Sequence, residues 1–268
     1  MISHKEQSID AKIAAAIPPD SNCRAVFDAL SAAPMLRETQ EHANSVSIRR
    51  LGFNDHGPVH MRQVALNAVR MMLLLKDAGV QTSLEAEESG SFDDSLCAVF
   101  IAAFMHDLGM AIGRDRHEQM SLILAAPFIE IALDAAPSWD TARRIAIRST
   151  VMEGIAGHMG TQRIHSIEAG IVLVADGCDM TKGRARIPMI FNTAPSVGDI
   201  HKYSANSIEH VRISKGKEKP MLISVEMSSE VGFFQIEEVL LKKIDFSPAK
   251  GYIELVAGVT GQPAKQYL

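Results

Sequence analysis

The sequence predicts a mainly α-helical protein, a helical bundle carrying a small C-terminal α+β module of strand-strand-helix-strand order. Apolar residues recur at helical spacing from Val59 to Ala175, strand-like alternation is confined to the chain beyond Asp199, and capping or turn residues separate the segments. The expected boundaries are an N-terminal helical extension over residues 1–50, a helical domain over 51–198 and the α+β module over 199–268. Val59 to Ala78 carries Val64, Ala65, Ala68, Met71, Met72 and Leu75 on one face, and Gly79 is its stop. Asp93, Asp94 and Ser95 offer capping oxygens ahead of a helix over Leu96 to Leu108 that Gly109 would end. Further helices are expected over Arg116 to Leu133, broken or bent near Pro127, and over Trp139 to Gly157. Ser166, with Glu168 in the first turn, opens another through Ile171 and Ala175. Ile208 to Ser214 and Met221 to Met227 flank KGKEK as a hairpin, Phe233 to Ile244 returns to helical spacing, and Tyr252 to Val259 reads as a closing strand.

Composition narrows the function classes. With 47% hydrophobic and 22% charged residues the 268-residue chain has the make-up of a folded globular protein. A net charge of -5 supplies no basic surplus for duplex nucleic acid. The apolar runs Val99 to Met105 and Ile171 to Ala175 are short for a membrane span, and the polar start MISHKEQSIDAK lacks the apolar core of a secretory signal. Cys23, Cys97 and Cys178 are odd in number and scattered, which suits a reducing compartment. The expected location is therefore the cytoplasm, with no membrane partner.

The chemistry sits in histidines and aspartates set into these apolar helices. His60 lies in the first turn of its helix, His106 and Asp107 stand together in AAFMHDLGM, His117 opens the next helix, His158 follows the fourth, and Asp176 lies in IVLVADGCDM. Taken singly, such a residue is more often a hydrogen-bonded core group or a cap. Taken together, adjacent ionisable groups in an apolar helix cost several kcal/mol unless a partner compensates them, and a divalent cation compensates an imidazole and a carboxylate at once. Mn, Fe, Co, Ni or Zn accept such ligands, whereas Mg prefers oxygen alone. Phosphate-binding P-loop, GxGxxG, GxSxG and CxxC patterns are absent from the sequence.

The succession His60, His106-Asp107, Asp176 resembles the H…HD…D signature of the HD superfamily of metal-dependent phosphohydrolases, over roughly Asn54 to Pro188. The resemblance implies an HD-type helical bundle in which these four side chains hold a first metal, Asp107 bridging. His117 and His158 resemble the additional histidines of members that hold two metals. The implied cofactor is one or two divalent ions (Mn, Fe, Ni, Co, Zn or Mg), and the implied reaction is cleavage of a phosphomonoester or phosphodiester, a nucleotide among the candidates, by a metal-activated water. Some proteins of this fold offer the same ligands to a di-iron centre that activates oxygen, and a third reading is a non-catalytic metal or ligand sensor.

Neighbouring residues have paired readings. Asp55 and His56, a turn before His60, are a cap or a hydrogen-bond partner of the ligands, and His56 is the candidate general acid beside the catalytic Asp107 and Arg184. Asp179, three residues after Asp176, is an acceptor behind the ligands or a helix-end residue. Lys182, Arg184 and Arg186 form a phosphate clamp, or a solvated loop paired with the acidic segment Glu85 to Glu88. Arg114 and Arg116 carry the same two readings. His165 and His201 are surface or cap residues, and His4 and His210 have no context. The expected partners are a small phosphorylated substrate and, as the commonest oligomer, a second copy in a homodimer.

Overall fold

The computed structural model of the protein describes residues 2–181 and 204–268. Nine α-helices lie within residues 2–181: α1 His4–Ala16, α2 Asn22–Ser31, α3 Pro34–Ser45, α4 Pro58–Asp77, α5 Ser83–Ala86, α6 Phe92–Met105, α7 His117–Asp134, α8 Thr141–Gly157 and α9 Ile167–Gly177. Helix α6 is the axis of the bundle. All its residues from Asp94 to Met105 are buried, and α2, α4, α8 and α9 pack around it. A helix apolar on every side has to be enclosed, and α6 is. With the following turn, the 20 residues Phe92–Ala111 are long and apolar enough to cross a membrane, yet 94% of their most apolar stretch is buried inside the protein. Asp93, Asp94, His106 and Asp107 interrupt the apolar run, so its full length does not show as one unbroken stretch of sequence.

Ser91 caps α6, with Asp94 returning the hydrogen bond to complete a capping box, so the helix starts a turn earlier than the expected Leu96. It ends at Met105 rather than Leu108, because the chain tightens into a 3-10 turn over Leu108–Ala111. Arg116 takes the left-handed conformation, φ 55°, and so caps α7 instead of opening it. Pro127 does not break α7. It lies on the exposed side, where water can take the carbonyl that its ring leaves unbonded.

Helix α1 is held to the bundle by a buried cation. Arg62 of α4, 1% exposed, donates from Nε to Asp10 Oδ1 at 2.9 Å and from Nη1 to Gln40 Oε1 at 3.2 Å, beneath the Phe104 ring. Removing one member of such a pair strands the other. Arg62→Met is expected to cost about 3–5 kcal/mol, read as a lowered denaturant midpoint, with metal ligands untouched.

The C-terminal module is a four-stranded sheet of order β1-β2-β3-β4: Ile208–Lys215, Met221–Met227, Ile253–Val259 and Lys265–Gln266. The expected hairpin is present, Val211 opposite Val225 and Ile213 opposite Ile223. β3 runs parallel to β2, with a helical crossover over residues 233–246, here α10, which widens into a π-turn at Ile236–Leu240. The two-residue β4 was not foreseen, being too short for an alternation to register. Ile236, Leu240 and Ile244 of α10 join the same buried core as the bundle, and α10 packs on α9.

Candidate metal centre

Local sequence explains how each side chain reaches the site. Pro58 at the first position of α4 sets the helix start and places His60 in the first turn. His106 is the C-cap of α6, and Asp107 follows as the chain turns. The turn must then pass very close to α7. A Cβ added to Gly109 would lie 1.9 Å from His117 O and 2.7 Å from Ser121 N, and Gly109 N–H donates to Ser121 Oγ at 2.8 Å. This glycine lets the doublet and His117 share one site. His158 is the C-cap of α8 and Asp176 the penultimate residue of α9.

All six predicted ligands converge, and five are at most 2% exposed. The Asp107 carboxylate stands between two clusters. On one side His60 Nε2 is 3.2 Å from Asp107 Oδ2 and 3.2 Å from Asp176 Oδ1, and His106 Nε2 lies 3.2 Å from His60 Nε2. His106 Nε2 is also 3.4 Å from Asp107 Oδ2 and 3.6 Å from Asp176 Oδ1. On the other side Asp107 Oδ1 is 3.2 Å from His117 Nε2 and 3.4 Å from His158 Nε2, which are 3.1 Å apart. Atoms bound to one ion at about 2.0–2.2 Å stand roughly 3–3.6 Å from each other, so both clusters have the spacing of a ligand sphere.

The outer ring nitrogens are spoken for. His106 Nδ1 is 2.8 Å from Ala103 O, His117 Nδ1 2.9 Å from Arg114 O, His158 Nδ1 2.7 Å from Ile155 O, and His60 Nδ1 2.7 Å from Asp179 Oδ2. Each acceptor fixes the proton on Nδ1 and leaves Nε2 as a lone pair. Four lone pairs and two carboxylates then face one another in a buried space, an arrangement that a cation satisfies and that protein hydrogen bonds alone do not.

The local electrostatics favour a neutral His158 and ionised Asp107 and Asp176. Burial pushes the His158 imidazole down to about 4, which keeps it neutral. Burial opposes ionisation of Asp107, but His106 and His56 outweigh it and hold the carboxyl well below its usual range. Burial likewise opposes Asp176, where Lys243 outweighs it. For His106, the pull of Asp107 and Asp176 overcomes burial and raises the imidazole.

Other predicted residues are placed differently from one another. Asp179 does not ride on the helix with Asp176, since α9 ends at Gly177; it reaches His60 from the segment beyond. Asp55 and His56 precede α4, as expected, and their two readings separate. Asp55 Oδ1 accepts from Gly57 N, whereas His56 Nδ1 enters the site, 2.6 Å from Asp107 Oδ2. Arg114 lines the site mouth with its guanidinium 5.9 Å from the Phe53 ring centre, whereas Arg116 only caps α7. Lys182, Arg184, Arg186 and His201 lie outside the described residues. Of the acidic segment proposed to pair with them, Glu85 instead caps α5 through Thr82. His165 is exposed, its amide held by Glu153. Lys243 was missed: its Nζ donates to Asp176 Oδ2 at 2.5 Å and to His158 O at 2.8 Å. It sits in α10, far along the chain, and nothing in LLKKID marks which lysine turns inward.

The HD domain family model matches residues 59–181, a span that includes His60, His106, Asp107, His117, His158 and Asp176 and ends just past Asp179. The chain is also similar, at 38% identity over 234 residues, to the uncharacterized protein MJ1020 of Methanocaldococcus jannaschii, covering 87% of this chain and 88% of that one. The chain belongs to the HD superfamily. No solved structure gives a significant match. In HD terms the doublet is His106-Asp107, and its setting at the end of α6 is what lets one carboxylate serve two imidazole clusters.

Proposed function

We propose that this HD protein is a metal-dependent phosphohydrolase that cleaves a phosphomonoester or phosphodiester at a two-ion centre. The observation that carries the reading is the Asp107 carboxylate, with one oxygen facing His60 and His106 and the other facing His117 and His158. His60, His106, Asp107 and Asp176 would hold one ion, and Asp107, His117 and His158 the other. Two divalent cations held there would bind phosphoryl oxygens, lower the pKa of a shared water and stabilise the departing alkoxide.

The chain's own residues supply the rest. Asp107 sets the spacing between the clusters, Asp179 holds the His60 tautomer, and Lys243 ties off the outer oxygen of Asp176. Arg114, at the mouth, is placed to bind phosphoryl oxygens, and Lys182, Arg184 and Arg186 keep their proposed role as a phosphate clamp. His56, hydrogen-bonded through Nδ1 to Asp107, is the candidate to pass a proton from Nε2 to the leaving oxygen. Free, buried Cys23, Cys97 and Cys178 are compatible with work in a reducing cytoplasm.

The same four histidines and two aspartates suit a di-iron oxygenase. Metal analysis of the purified protein, followed by a phosphoester panel with added Mn or Ni, separates the two. The expected result is two ions per chain and phosphate release. Iron with a redox signal and oxygen uptake, without phosphate release, would replace this reading by the oxygenase.

A further inference from the structure

The space in front of the metal centre has two compartments of different character. The inner one, about 190 Å³, is bounded by Asp107, Asp176, Asp179, His56, Arg114 and Lys243. The outer one, about 750 Å³, shares His56, Arg114 and Lys243 and opens between Phe53, Met159, Val239 and Phe246. The inner volume is the size of a phosphoryl group with a few waters, and the outer falls in the range of pockets that enclose drug-sized organic molecules. Phe53 and Phe246, 40% and 41% exposed, are among the largest apolar side chains left open to solvent, and both rim the outer compartment. Exposed aromatic rings at a cavity mouth are unspent contact area for a ligand.

Charge pairing engages two of the three described Lys and Arg residues that line the outer compartment. Lys242 is paired with Glu238, one turn away on α10, and Lys243 with Asp176. Among the described lining residues, Arg114 alone is a cation without a carboxylate partner, and it stands where the two compartments join. Arg114 is thus placed to meet a phosphoryl group, alongside the clamp proposed for Lys182, Arg184 and Arg186.

We infer that the substrate is an organic phosphoester whose ester group is flat and apolar, gripped by Phe53 and Phe246 while its phosphoryl group lies in the inner compartment. This rests on the phosphohydrolase reading and adds the class of the leaving group. Because Phe53 comes from the segment before α4 and Phe246 from the end of α10, the C-terminal module is part of the specificity surface rather than a remote appendage.

The test is calorimetric binding of three non-hydrolysable probes to the metal-loaded protein: phenylphosphonate, methylphosphonate and 3-phosphonopropionate. Phenylphosphonate should bind about tenfold or more tightly than either of the others. Phe53→Ala and Phe246→Ala, each checked for an unchanged melting temperature, should shrink that preference several-fold, and the double variant should nearly abolish it. Equal affinity for phenyl- and methylphosphonate, tighter binding of the carboxylated probe, or a preference that survives the double variant would overturn the inference while leaving the phosphohydrolase reading standing. Failure of all three probes to bind, together with no phosphoester turnover, would instead remove the reading beneath it.

Discussion

Asp107→Asn should lose at least one metal ion per chain and slow phosphoester turnover by about a thousandfold or more. Asparagine keeps the volume of the side chain but replaces one ligand oxygen with an NH2 group, which can only donate. One of the two clusters, His60 with His106 or His117 with His158, then faces a hydrogen-bond donor where it had an anion. Removing charge stabilisation worth several kcal/mol at the reacting centre corresponds to that factor in rate. Elemental analysis gives the metal count. A thermal shift on adding Mn gives a second readout, because an ion that binds only the folded state raises the melting temperature. The wild type should show a large shift and the variant a small one. Two ions retained with undiminished turnover would remove Asp107 from the bridging position.

Gly109→Ala should destabilise the protein by about 3 kcal/mol or more and empty the His117 and His158 cluster selectively. The added methyl would meet backbone atoms, His117 O at 1.9 Å and Ser121 N at 2.7 Å, which cannot rotate aside as a side chain could. Separating the turn from α7 moves His117 away from Asp107 Oδ1, whereas His60 and Asp176 are carried by α4 and α9. The expected outcome is a lower melting temperature with metal content falling towards one ion. Ser121→Ala is the milder companion: it removes only the hydrogen bond to Gly109 N and should cost about 1 kcal/mol. A Gly109→Ala protein with wild-type stability and two ions would mean that the turn and α7 can separate without consequence.

The bundle was readable because its signals are local. Capping serines such as Ser166, the apolar periodicity of α4 and the alternation of β1 and β2 act within a few residues, and each appears in the structure. Helix ends were less legible. The choice of Ser91 over Asp93 as the cap of α6 depends on which carboxylate turns back, and Asp94 is also engaged by Trp139 Nε1 at 2.6 Å, a contact 45 positions away. Five of the six converging residues were legible as well, because histidines and aspartates set in apolar stretches are too costly to place there without a compensating partner, whereas His117 stood out through the resemblance to the HD pattern.

Chain order alone thus named the histidines and aspartates that converge, the helical class and the strand-strand-helix-strand tail. Tertiary packing decided how the parts divide the work: that Asp107 faces two clusters, that Asp179 rather than a backbone carbonyl orients His60, and that Lys243 from α10 reaches Asp176 across 67 positions. The physical reason is range. Burial cost and capping are properties of a residue and its immediate neighbours, whereas the direction in which a carboxylate oxygen or an ammonium points is settled by whichever distant element packs against it.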